Sequence, residues 1–496
     1  MMNRVLGARS LSRDLGNWQD EPGRRSTARP VYRALAAGIR LLVHDGRIPL
    51  GVALPSEREL AAVLGLSRTT ITSAYALLRD EGYLTSRQGS RSTVVLPDDA
   101  RPNGLMFRPH QPGSGSAAGV VDLSYAAMAA PSEAVASAYD SALQQLPYFL
   151  STHGMEPMGV EGLREVVAAR YTARGVATSP DQIMITSGAQ HALRLLLDAM
   201  TAPGERILVD HPTYPNALEA IRRVGARPVP VPVRPEGGGE MAWDLEGIRN
   251  AARQTAARMA YLIPDFHNPT GMCLDELGRA ELTQIARDTR MLLVVDETMV
   301  DLWLDAPAPG PVAAHSRGGA KADMVTIGST AKSFWGGLRV GWIRADPALI
   351  TRLVGARAAT DLGTPVMDQL AAAYLLANDT DVLEQRREQL RGQRATLLAA
   401  LADRLPDWEP TVGTGGMSLW MRMTAPVSTA LAASAPNHGA ILAAGPRFGV
   451  EGAFERFLRI PYARSSEELV RGVDAIASAY DLLALDRTRA EPSLVV

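Results

Sequence analysis

The chain of 496 residues contains one cysteine, and aromatic residues make up only 5% of it. The one cysteine, Cys273, cannot form a disulfide within the chain, so the fold does not depend on disulfides and suits a reducing compartment. No apolar run approaches the roughly 18 residues of a membrane span. The first 25 residues also lack the apolar centre of a signal peptide. We therefore expect a cytoplasmic protein with no membrane segment.

Lysine is almost absent from the sequence. Only Lys321 and Lys332 are lysines among the 51 basic residues, so the other 49 are arginines. A position that keeps lysine in this background indicates chemistry that requires an amine. An amine can lose its proton and condense with an aldehyde, whereas a guanidinium stays charged. Lys321 stands in a glycine-rich stretch, and we interpret it as coincidental.

The net charge of −2 hides an uneven distribution of charge along the chain. Residues 1–97 contain 14 arginines against 8 acidic residues, a balance of +6, and the remainder has a balance of −8. With 46% hydrophobic and 21% charged residues, a chain of this length is globular and too large for one domain. A basic N-terminal domain on an acidic body predicts an anionic partner for the N-terminal domain alone.

Three amphipathic helices are predicted in the basic region. The first has its apolar residues on one face: Leu35, Ile39, Leu42 and Val43. The second begins at a capping box formed by Ser56 and Glu59, and Ser67 caps the third after a break at Gly65. The third has an inward face with the spacing i, i+3, i+4, i+7: Ile71, Ala74, Tyr75 and Leu78.

The third helix presents arginine and hydroxyl side chains outward at its N-terminal end: Arg68, Thr69, Thr70, Thr72 and Ser73. A short helix, a tight turn and a helix of this kind are typical of a helix-turn-helix that enters the major groove of DNA. Two short strands around Gln88 and Gly89 would follow as a basic wing. Helix pairs of this spacing also occur in helical domains that do not bind DNA, but the wing and the charge favour DNA binding.

The segment LPSERELAAVLGLSRTTITSAYALLRDEGYLTSRQGSRSTVV resembles the winged-helix domain of GntR-type bacterial transcription regulators. The shared pattern is PSER-x-LA, then SR-x-T, then a wing that contains glycine. The resemblance implies that Arg58, Arg68, Thr70 and Gly89 lie at the DNA. With the rest of the first helical turn and the basic wing, the candidate DNA-binding residues are Arg58, Ser67, Arg68, Thr69, Thr70, Arg87 and Gly89. Phosphate contacts would supply salt-dependent affinity, and contacts to base edges would supply specificity.

Beyond residues 98–121, which are rich in Pro, Gly and Ser and typical of a linker, apolar runs alternate with helical segments. Seven runs are predicted strands: DQIMITSG, ERILVDHP, ARPVPVPV, MAYLIPDF, MLLVVDET, DMVTIGST and LRVGWIRA. Continuous apolar runs suit strands covered on both faces, so we expect an α/β body with a mostly parallel sheet. In such sheets ligands bind beyond the carboxyl ends of the strands.

Polar or small residues follow four of these strands. Residues 187–190 stand between a strand and a helix, where free backbone N–H groups suit a phosphate. Asn268 precedes a proline turn, Asp296 ends a strongly apolar strand, and Lys332 lies just past another. Taken singly, the glycine and the asparagine are explained by turns, and the carboxylate by a surface position. Together, a phosphate cradle, a carboxylate able to pair with a pyridinium nitrogen and a lysine able to form a Schiff base describe a site for pyridoxal 5'-phosphate.

Residues 122 to about 480 resemble a fold-type I, class I aminotransferase domain. The motifs stand in family order: SGAQHAL, HPTYPNALEA, HNPTG, VVDE, STAK…LRVGW and GGMSLWMRM. The resemblance implies that the cofactor phosphate is held by Gly188, Ala189, Gln190, Ser329 and Arg339. It implies that Tyr214 stacks on the pyridine ring, Asn268 hydrogen-bonds the ring hydroxyl and Asp296 binds the ring nitrogen. Lys332 would carry the Schiff base, and Arg459 would bind the α-carboxylate of a ligand through its planar fork.

Two departures from the aminotransferase pattern bear on catalysis. The family usually has a tyrosine two or three residues after the aspartate that binds the ring nitrogen, and this chain has Thr298 and Met299 there. Just before the lysine, where related proteins often have serine, it has Ala331. Cofactor binding tolerates both changes because the phosphate and the Schiff base dominate affinity. We therefore expect transamination to be slow or absent.

The whole chain is identified as a member of the MocR-type regulators, which fuse a GntR-type head to an aminotransferase-like body. The expected fold is multidomain: an N-terminal winged helix-turn-helix of α+β class at residues 28–97, a linker at 98–121, and an α/β fold-type I pyridoxal-phosphate-dependent aminotransferase-like domain at 122–484. Residues 1–27 show no informative pattern.

The leading functional hypothesis is a transcription regulator in which pyridoxal phosphate, with or without an amino compound, biases a two-state arrangement of head and body. The alternatives are an active aminotransferase with an accessory DNA-binding head, and a sensor of vitamin B6 that needs no amino acid. The resemblance implies a homodimer, and two heads would bind a double-stranded operator with two half-sites.

Overall fold

The structure is a computed structural model, and it describes residues 5–16, 18, 30–44, 47–85, 91–95, 119–236, 240–307, 310–315 and 324–488. The chain forms two compact units. The first unit comprises Met1–Tyr125, Ala395–Pro410 and Trp420–Val496, and the second comprises Ala126–Arg394 and Thr411–Leu419. Most of the predicted linker lies outside the described residues.

Helices and strands are numbered in chain order. The helices are α1 (Ala8–Leu15), α2 (Val31–His44), α3 (Glu57–Leu64), α4 (Arg68–Asp80), α5 (Ser132–Leu150), α6 (Glu161–Ala173), α7 (Ala189–Met200), α8 (Pro215–Arg223), α9 (Leu245–Thr255), α10 (Glu276–Thr289), α11 (Thr330–Ser333), α12 (Pro347–Arg357), α13 (Val366–Ala377), α14 (Thr380–Arg404), α15 (Ser428–Ser434) and α16 (Ser466–Thr488). The strands are β1 (Leu84–Thr85), β2 (Thr93–Val94), β3 (Val121–Leu123), β4 (Ile183–Thr186), β5 (Arg206–His211), β6 (Arg227–Glu236), β7 (Glu240–Trp243), β8 (Met259–Leu262), β9 (Leu292–Asp296), β10 (Met324–Ser329), β11 (Gly341–Arg344), β12 (Glu409–Thr411), β13 (Ser418–Arg422), β14 (Ala440–Ala444) and β15 (Phe457–Pro461). Within the described ranges, no helix combines the length and apolar composition needed to cross a membrane.

The head has the helix-turn-helix and the wing strands predicted from the sequence. Ser56 and Glu59 form a complete capping box at α3, which ends at Gly65 in the left-handed conformation, and the Ser67 side chain caps α4. The predicted apolar faces of α2 and α4 are buried in one core. Strands β1 and β2 pair antiparallel, as expected for a wing. The winged helix-turn-helix fold is therefore confirmed.

Helix α1 is an element of the head that the sequence analysis did not predict. Leu11 and Leu15 are fully buried and belong to the same core as α2 and α4. Leu15 packs over Gly38 of α2, where a Cβ atom would lie 3.0 Å from a Leu15 methyl group. The backbone of Leu6 also donates a hydrogen bond to Ala53 at 2.9 Å. Residues before the helix-turn-helix thus complete its hydrophobic core.

An eight-stranded sheet with the order β4-β11-β10-β9-β8-β5-β6-β7 lies in the second unit. All seven predicted strands belong to it, and β7 is the additional one. The pairings from β10 through β9, β8 and β5 to β6 are parallel, which confirms a mostly parallel sheet. Strand β11 is antiparallel to both neighbours. The segment between β10 and β11 is too short for the crossover that a parallel neighbour would need.

Strand register brings the predicted site residues to one edge of this sheet. Ser329 pairs with Gly341, and Gly341 pairs with Thr186, so the ends of β10 and β4 lie in line. Asp296 pairs with Ile327, two residues before Ser329. The carboxyl ends of β4, β10 and β9 therefore form one rim.

A smaller five-stranded sheet has the order β12-β13-β15-β14-β3. Strand β14 pairs antiparallel with β15, with Ala443 opposite Arg459, and parallel with β3. This sheet carries Arg459 on its central strand β15, so the arginine is fixed by strand pairing on both sides.

Candidate functional site

In the turn between β4 and α7, the backbone lies very close to the Arg339 side chain and to Gly341. Gly188 has a φ of +92°, and a Cβ atom there would lie 2.8 Å from the Arg339 guanidinium. A Cβ atom on Gly341 would lie 2.7 Å from the Gly188 backbone. Only glycine fits these contacts, and Ala189 begins the helix directly after them. The N-terminus of α7 therefore has free backbone N–H groups at the rim, as an anion site requires.

Ser329 and Arg339 lie beside this turn, and both make hydrogen bonds within the protein. The Ser329 hydroxyl donates to the Val340 carbonyl at 3.1 Å and accepts from the Ala331 backbone at 3.1 Å. Arg339 Nη2 donates to the Ser187 carbonyl at 2.7 Å. Arg339 is otherwise exposed, so its remaining N–H groups are accessible to an anion.

Three of the buried oxygen atoms that have no hydrogen-bond partner among the described residues belong to candidate site residues or their neighbours: Gln190 Oε1, Thr213 Oγ1 and Asn268 Oδ1. Burying such atoms without a partner is costly, so each is a place where a bound molecule could supply a donor. Asn268 stands at the turn after β8, and Gln190 stands in the first turn of α7. Next to Thr213, the Tyr214 hydroxyl accepts from the Asn216 side chain at 3.0 Å.

Lys332 lies in α11, the short helix that follows β10. Its Nζ atom donates to the Ala126 carbonyl at 2.6 Å, and the side chain is partly exposed. The amine is therefore held at the rim by a neutral acceptor and within reach of a bound molecule. A guanidinium in this position would stay charged and could not bond covalently to an aldehyde.

Asp296 is 7% exposed at the end of β9. One carboxylate oxygen accepts from the Tyr261 hydroxyl at 2.6 Å, and the other accepts from the Thr298 backbone at 2.9 Å. Thr298 thus contacts Asp296 through its main chain, and the Met299 side chain is buried. Neither residue brings a phenol to the site.

A second buried acid lies behind Asn268. Asp210 accepts hydrogen bonds from the Trp243 indole at 2.9 Å and the Ile263 backbone at 2.8 Å. His267 Nε2 lies 3.6 Å from Asp210, which has the geometry of an ion pair. However, burial raises the pKa of Asp210 to about 7 and lowers the pKa of His267 to about 3. His267 is therefore neutral near pH 7, and the pair supports the turn without a salt bridge.

Arg459 is placed in the first unit, and it is 6% exposed. Its Nη2 atom donates to the Ser124 carbonyl, and its guanidinium lies 5.0 Å from the centre of the Phe448 ring. A buried guanidinium that is held by a backbone carbonyl and an aromatic face keeps its planar fork in a fixed orientation, which suits the binding of a carboxylate.

The first turn of α4 presents the side chains expected at DNA. Ser67 and Thr70 hydroxyls hydrogen-bond each other at 2.8 Å as part of the helix cap. Arg68 and Thr69 are exposed at the start of the helix, and Arg58 is exposed on α3. The other two candidates, Arg87 and Gly89, lie outside the described residues.

Two residues at these sites were not found by sequence reasoning. Tyr261 was assigned only to a strand, although a tyrosine in an otherwise aliphatic run was a signal that its hydroxyl needs a partner. Glu57 lies beside the recognition helix, accepts from the Thr72 hydroxyl at 2.7 Å and lies 3.8 Å from Arg68 Nε. Helix pattern alone does not show which residues of α3 and α4 meet.

These features fit pyridoxal phosphate. The backbone N–H groups at the Gly188 turn suit the phosphate, and the carboxylate of Asp296 suits the ring nitrogen. The side-chain oxygen of Asn268, which has no hydrogen-bond partner among the described residues, suits the ring hydroxyl. The class of protein so defined is a fold-type I aminotransferase-like body joined to a winged helix-turn-helix.

The chain belongs to the aminotransferase class I and II family, whose pattern matches residues 122–476. Residues 31–94 match the gntR family of bacterial regulatory proteins. The fusion of these two domains in one chain is the MocR type of architecture, in agreement with the resemblance drawn from the sequence.

Similar proteins fall into two groups. An HTH-type transcriptional regulator of Bacillus subtilis, YdfD, is 25% identical over 470 residues, which cover 90% of this chain and 95% of that protein. The 2-aminoadipate transaminase of Thermus thermophilus is 29% identical over 320 residues, covering 64% of this chain and 79% of that enzyme. The crystal structure of LysN, an alpha-aminoadipate aminotransferase from Thermus thermophilus complexed with N-(5'-phosphopyridoxyl)-L-leucine, superimposes with a TM-score of 0.68. It is 27% identical and covers 74% of this chain and 94% of that chain.

Proposed function

We propose that the protein is a DNA-binding transcription regulator whose aminotransferase-like domain binds pyridoxal phosphate and an amino-compound effector. The observation that carries the proposal is the combination of two features in one chain. The head has a capped recognition helix with an exposed arginine, and the body keeps Lys332 and Asp296 but has no tyrosine at position 298 or 299. We assign DNA binding to residues 28–97 and cofactor binding to residues 122–484.

The cofactor would be held by the residues of the sheet rim. Pyridoxal phosphate supplies an aldehyde that condenses with amines and a ring that withdraws electrons. Gly188, Ala189 and Gln190 would bind its phosphate with Ser329 and Arg339, and Lys332 would bond to it covalently. Tyr214 would stack on the ring, Asn268 would accept from the ring hydroxyl through Oδ1, and Asp296 would pair with the ring nitrogen. Arg459 would orient the carboxylate of the effector.

A regulatory role is favoured over transamination by the surroundings of Asp296. Transamination needs repeated proton transfer at the α-carbon, with the lysine acting as a base and the ring hydroxyl held in a tuned network. Thr298 donates to Asp296 through its backbone, Met299 is buried and apolar, and neither residue carries a phenol. The chain can therefore bind an amino compound without the groups that would make its turnover fast.

Contacts within the first unit support a connection between effector and head. Arg13 of α1 lies 3.7 Å from Glu451, and the Arg13 carbonyl would lie 2.7 Å from a Cβ atom on Gly452. Gly16 packs directly against the Glu455 carboxylate, with no room for a side chain. Helix α1 therefore touches the turn at residues 451–455 as well as the core of the head.

The turn at residues 451–455 also packs against the aromatic residues that lie next to Arg459. Glu455 accepts from the Thr429 backbone at 3.0 Å, and the neighbouring Phe454 ring lies 5.8 Å from Trp420. Trp420 lies 5.5 Å from Phe448, the ring beneath Arg459. A carboxylate bound at Arg459 would thus be connected through packed rings to the turn at residues 451–455, which in turn contacts Arg13 and Gly16. This packing supports an effector-dependent bias of the head.

An exposed apolar face supports the expected homodimer. Leu143, Tyr148 and Leu150 are exposed on α5, and Met155 is exposed in the loop that follows. Leu362 is also exposed. It lies near this loop, since the next residue, Gly363, packs against the backbone of Glu156. A second copy covering this face would bring two heads together, so we propose a homodimer that binds an operator with two half-sites.

The proposed function is tested by mixing the protein, loaded with pyridoxal phosphate, with a panel of amino acids and a keto acid. We expect at least one amino acid to change the cofactor spectrum and to shift the DNA dissociation constant by roughly 5- to 150-fold, the usual range of allosteric coupling. We expect keto-acid product to form more slowly than about 1 per second, the low end of ordinary enzyme rates.

Three other outcomes would assign the function differently. Turnover at or above about 1 per second would favour the aminotransferase alternative. A change in DNA affinity with pyridoxal phosphate alone, and none with any amino acid, would favour the vitamin B6 sensor. An Arg459→Leu variant that still responds fully to amino acids would remove that residue from the effector site.

Arg68 provides a test of the DNA interface. If it reads a base edge, Arg68→Ala should weaken operator binding by roughly 1–3 kcal/mol and flatten the preference at one base position. Arg40→Ala is the matched control, because Arg40 lies on α2 and pairs with Glu81 at 2.7 Å. Titrations of operator variants at several salt concentrations distinguish the two roles. A uniform loss with a shallower salt dependence would reassign Arg68 to a phosphate contact.

A further inference from the structure

The carboxylate of Asp296 is held by a tyrosine from the neighbouring strand. Tyr261 on β8 pairs with Val294 on β9. Val294 and Asp296 are two residues apart, so their side chains project from the same face of the sheet. Asp296 is therefore the diagonal neighbour of Tyr261, within reach of a long side chain. The resulting hydrogen bond from Tyr261 Oη to Asp296 Oδ2 measures 2.6 Å, which is the length of a strong bond to an ionised acceptor.

Tyr261 is a permanent donor in this pair. The residue is 1% exposed, and burial, together with the negative charge of Asp296, raises the pKa of its hydroxyl well above the ordinary value. The phenol therefore stays protonated at physiological pH. The hydroxyl donates and the carboxylate oxygen accepts. With the Thr298 backbone on the other oxygen, Asp296 has one donor on each oxygen atom.

We propose that Tyr261 is a positioning residue that holds the carboxylate of Asp296 oriented toward the ring nitrogen of pyridoxal phosphate. This inference rests on the proposed cofactor site. It assigns to Tyr261 an effect on the ring that is exerted through Asp296, without contact between Tyr261 and the cofactor.

The direction of the effect follows from acid–base strength. A carboxylate that accepts two hydrogen bonds is a weaker base than one that accepts a single bond. With both donors in place, Asp296 would leave the ring N–H proton on the nitrogen. Without the Tyr261 hydroxyl, Asp296 would accept that N–H more strongly, and the ring would become more neutral.

Tyr261 does not replace the tyrosine that positions 298 and 299 lack. Its hydroxyl has a single proton, and Asp296 accepts it. The chain therefore supports Asp296 from the side of β8, and Asn268 is the residue proposed to bind the ring hydroxyl. This division agrees with a protein that retains its cofactor and reacts slowly.

The test uses the full chain loaded with pyridoxal phosphate that carries 15N in the ring. For Tyr261→Phe, we expect the ring 15N resonance to move toward the value of a neutral pyridine. We expect the dissociation constant of the cofactor to rise by up to about tenfold, because without this hydrogen bond the carboxylate is no longer held in one orientation. Tyr171→Phe is the control, because Tyr171 is also buried and its hydroxyl accepts from Trp342 at 3.2 Å.

A double-mutant cycle shows whether the effect passes through Asp296. In an Asp296→Asn background, Tyr261→Phe should cause no further change in the 15N resonance or the cofactor affinity. Incorporation of 3-fluorotyrosine at position 261 gives a stronger donor of almost the same shape. It should move the resonance in the opposite direction, which keeps the test informative if Tyr261→Phe folds poorly.

The outcomes distinguish this inference from the proposed function. Wild-type resonance and affinity in Tyr261→Phe, or additive changes in the double variant, would overturn the role of Tyr261 while the cofactor site stands. A wild-type chain that shows no Lys332-dependent binding of pyridoxal phosphate would overturn both.

Discussion

Replacement of Lys332 by alanine is expected to abolish covalent attachment of pyridoxal phosphate. Lys332 lies in the short helix that follows β10, and its amine donates to the Ala126 carbonyl. Lys332→Arg should fail equally although it keeps the positive charge, because a guanidinium stays protonated and does not condense with an aldehyde. Borohydride reduction followed by peptide mass spectrometry measures the attached cofactor directly.

The sequence supplies a matched control for this experiment. Lys321 is the only other lysine, so Lys321→Ala should keep full labelling at Lys332. Reduced cofactor retained in Lys332→Ala, or found on Lys321 in the wild-type chain, would contradict the assignment. The near absence of lysine makes the labelling result unusually simple to interpret.

Truncation of Leu15 to alanine is expected to destabilise the DNA-binding head strongly. Leu15 is fully buried between α1 and α2, and removal of a buried leucine side chain costs about 2–5 kcal/mol. Amide hydrogen exchange in α2 and α4 should then accelerate by roughly 30-fold to several thousand-fold, because each 1.4 kcal/mol is a factor of ten. Exchange is the suitable measurement because the chain has more than one unit, and global unfolding need not be two-state.

Leu50→Ala is the control for this prediction. Leu50 belongs to the head and is 53% exposed, so its truncation should leave exchange in α2 and α4 nearly unchanged. If Leu15→Ala and removal of residues 5–16 both left exchange unaffected, α1 would not be part of the head core.

Much of the head could be predicted because its signals are local. The capping box of Ser56 and Glu59 and the apolar faces of α2 and α4 depend only on residues three or four apart, and all are confirmed. Helix α1 was not predicted, although Leu11 and Leu15 have helical spacing. With eight residues and only two buried side chains, its pattern is too short to distinguish from a loop.

The body was predicted at the level of strands and strand ends, but not at the level of strand neighbours. Seven apolar runs gave seven strands, yet the antiparallel direction of β11 depends on the length of its connection. Likewise, the contact between Tyr261 and Asp296 depends on the order and register of β8 and β9. Strand order and register are tertiary properties, which composition and periodicity do not contain. Lys332 and Asp296 lie at the strand ends, as expected. Their roles toward the cofactor stay predictions, which the labelling experiment tests.

The close contact of α1 with the turn at residues 451–455 limits how this protein can be recombined with its relatives. Gly16 and Gly452 have no room for a side chain, and each faces a group from the other segment. In a chimera joined at residues 98–121, Gly16 would be replaced while Gly452 and Glu455 would stay. The first helix of the relative would then contact a turn whose shape fits the helix of this chain. A working chimera must therefore take the head and the turn at residues 451–455 from the same protein, although they lie more than 300 residues apart in sequence.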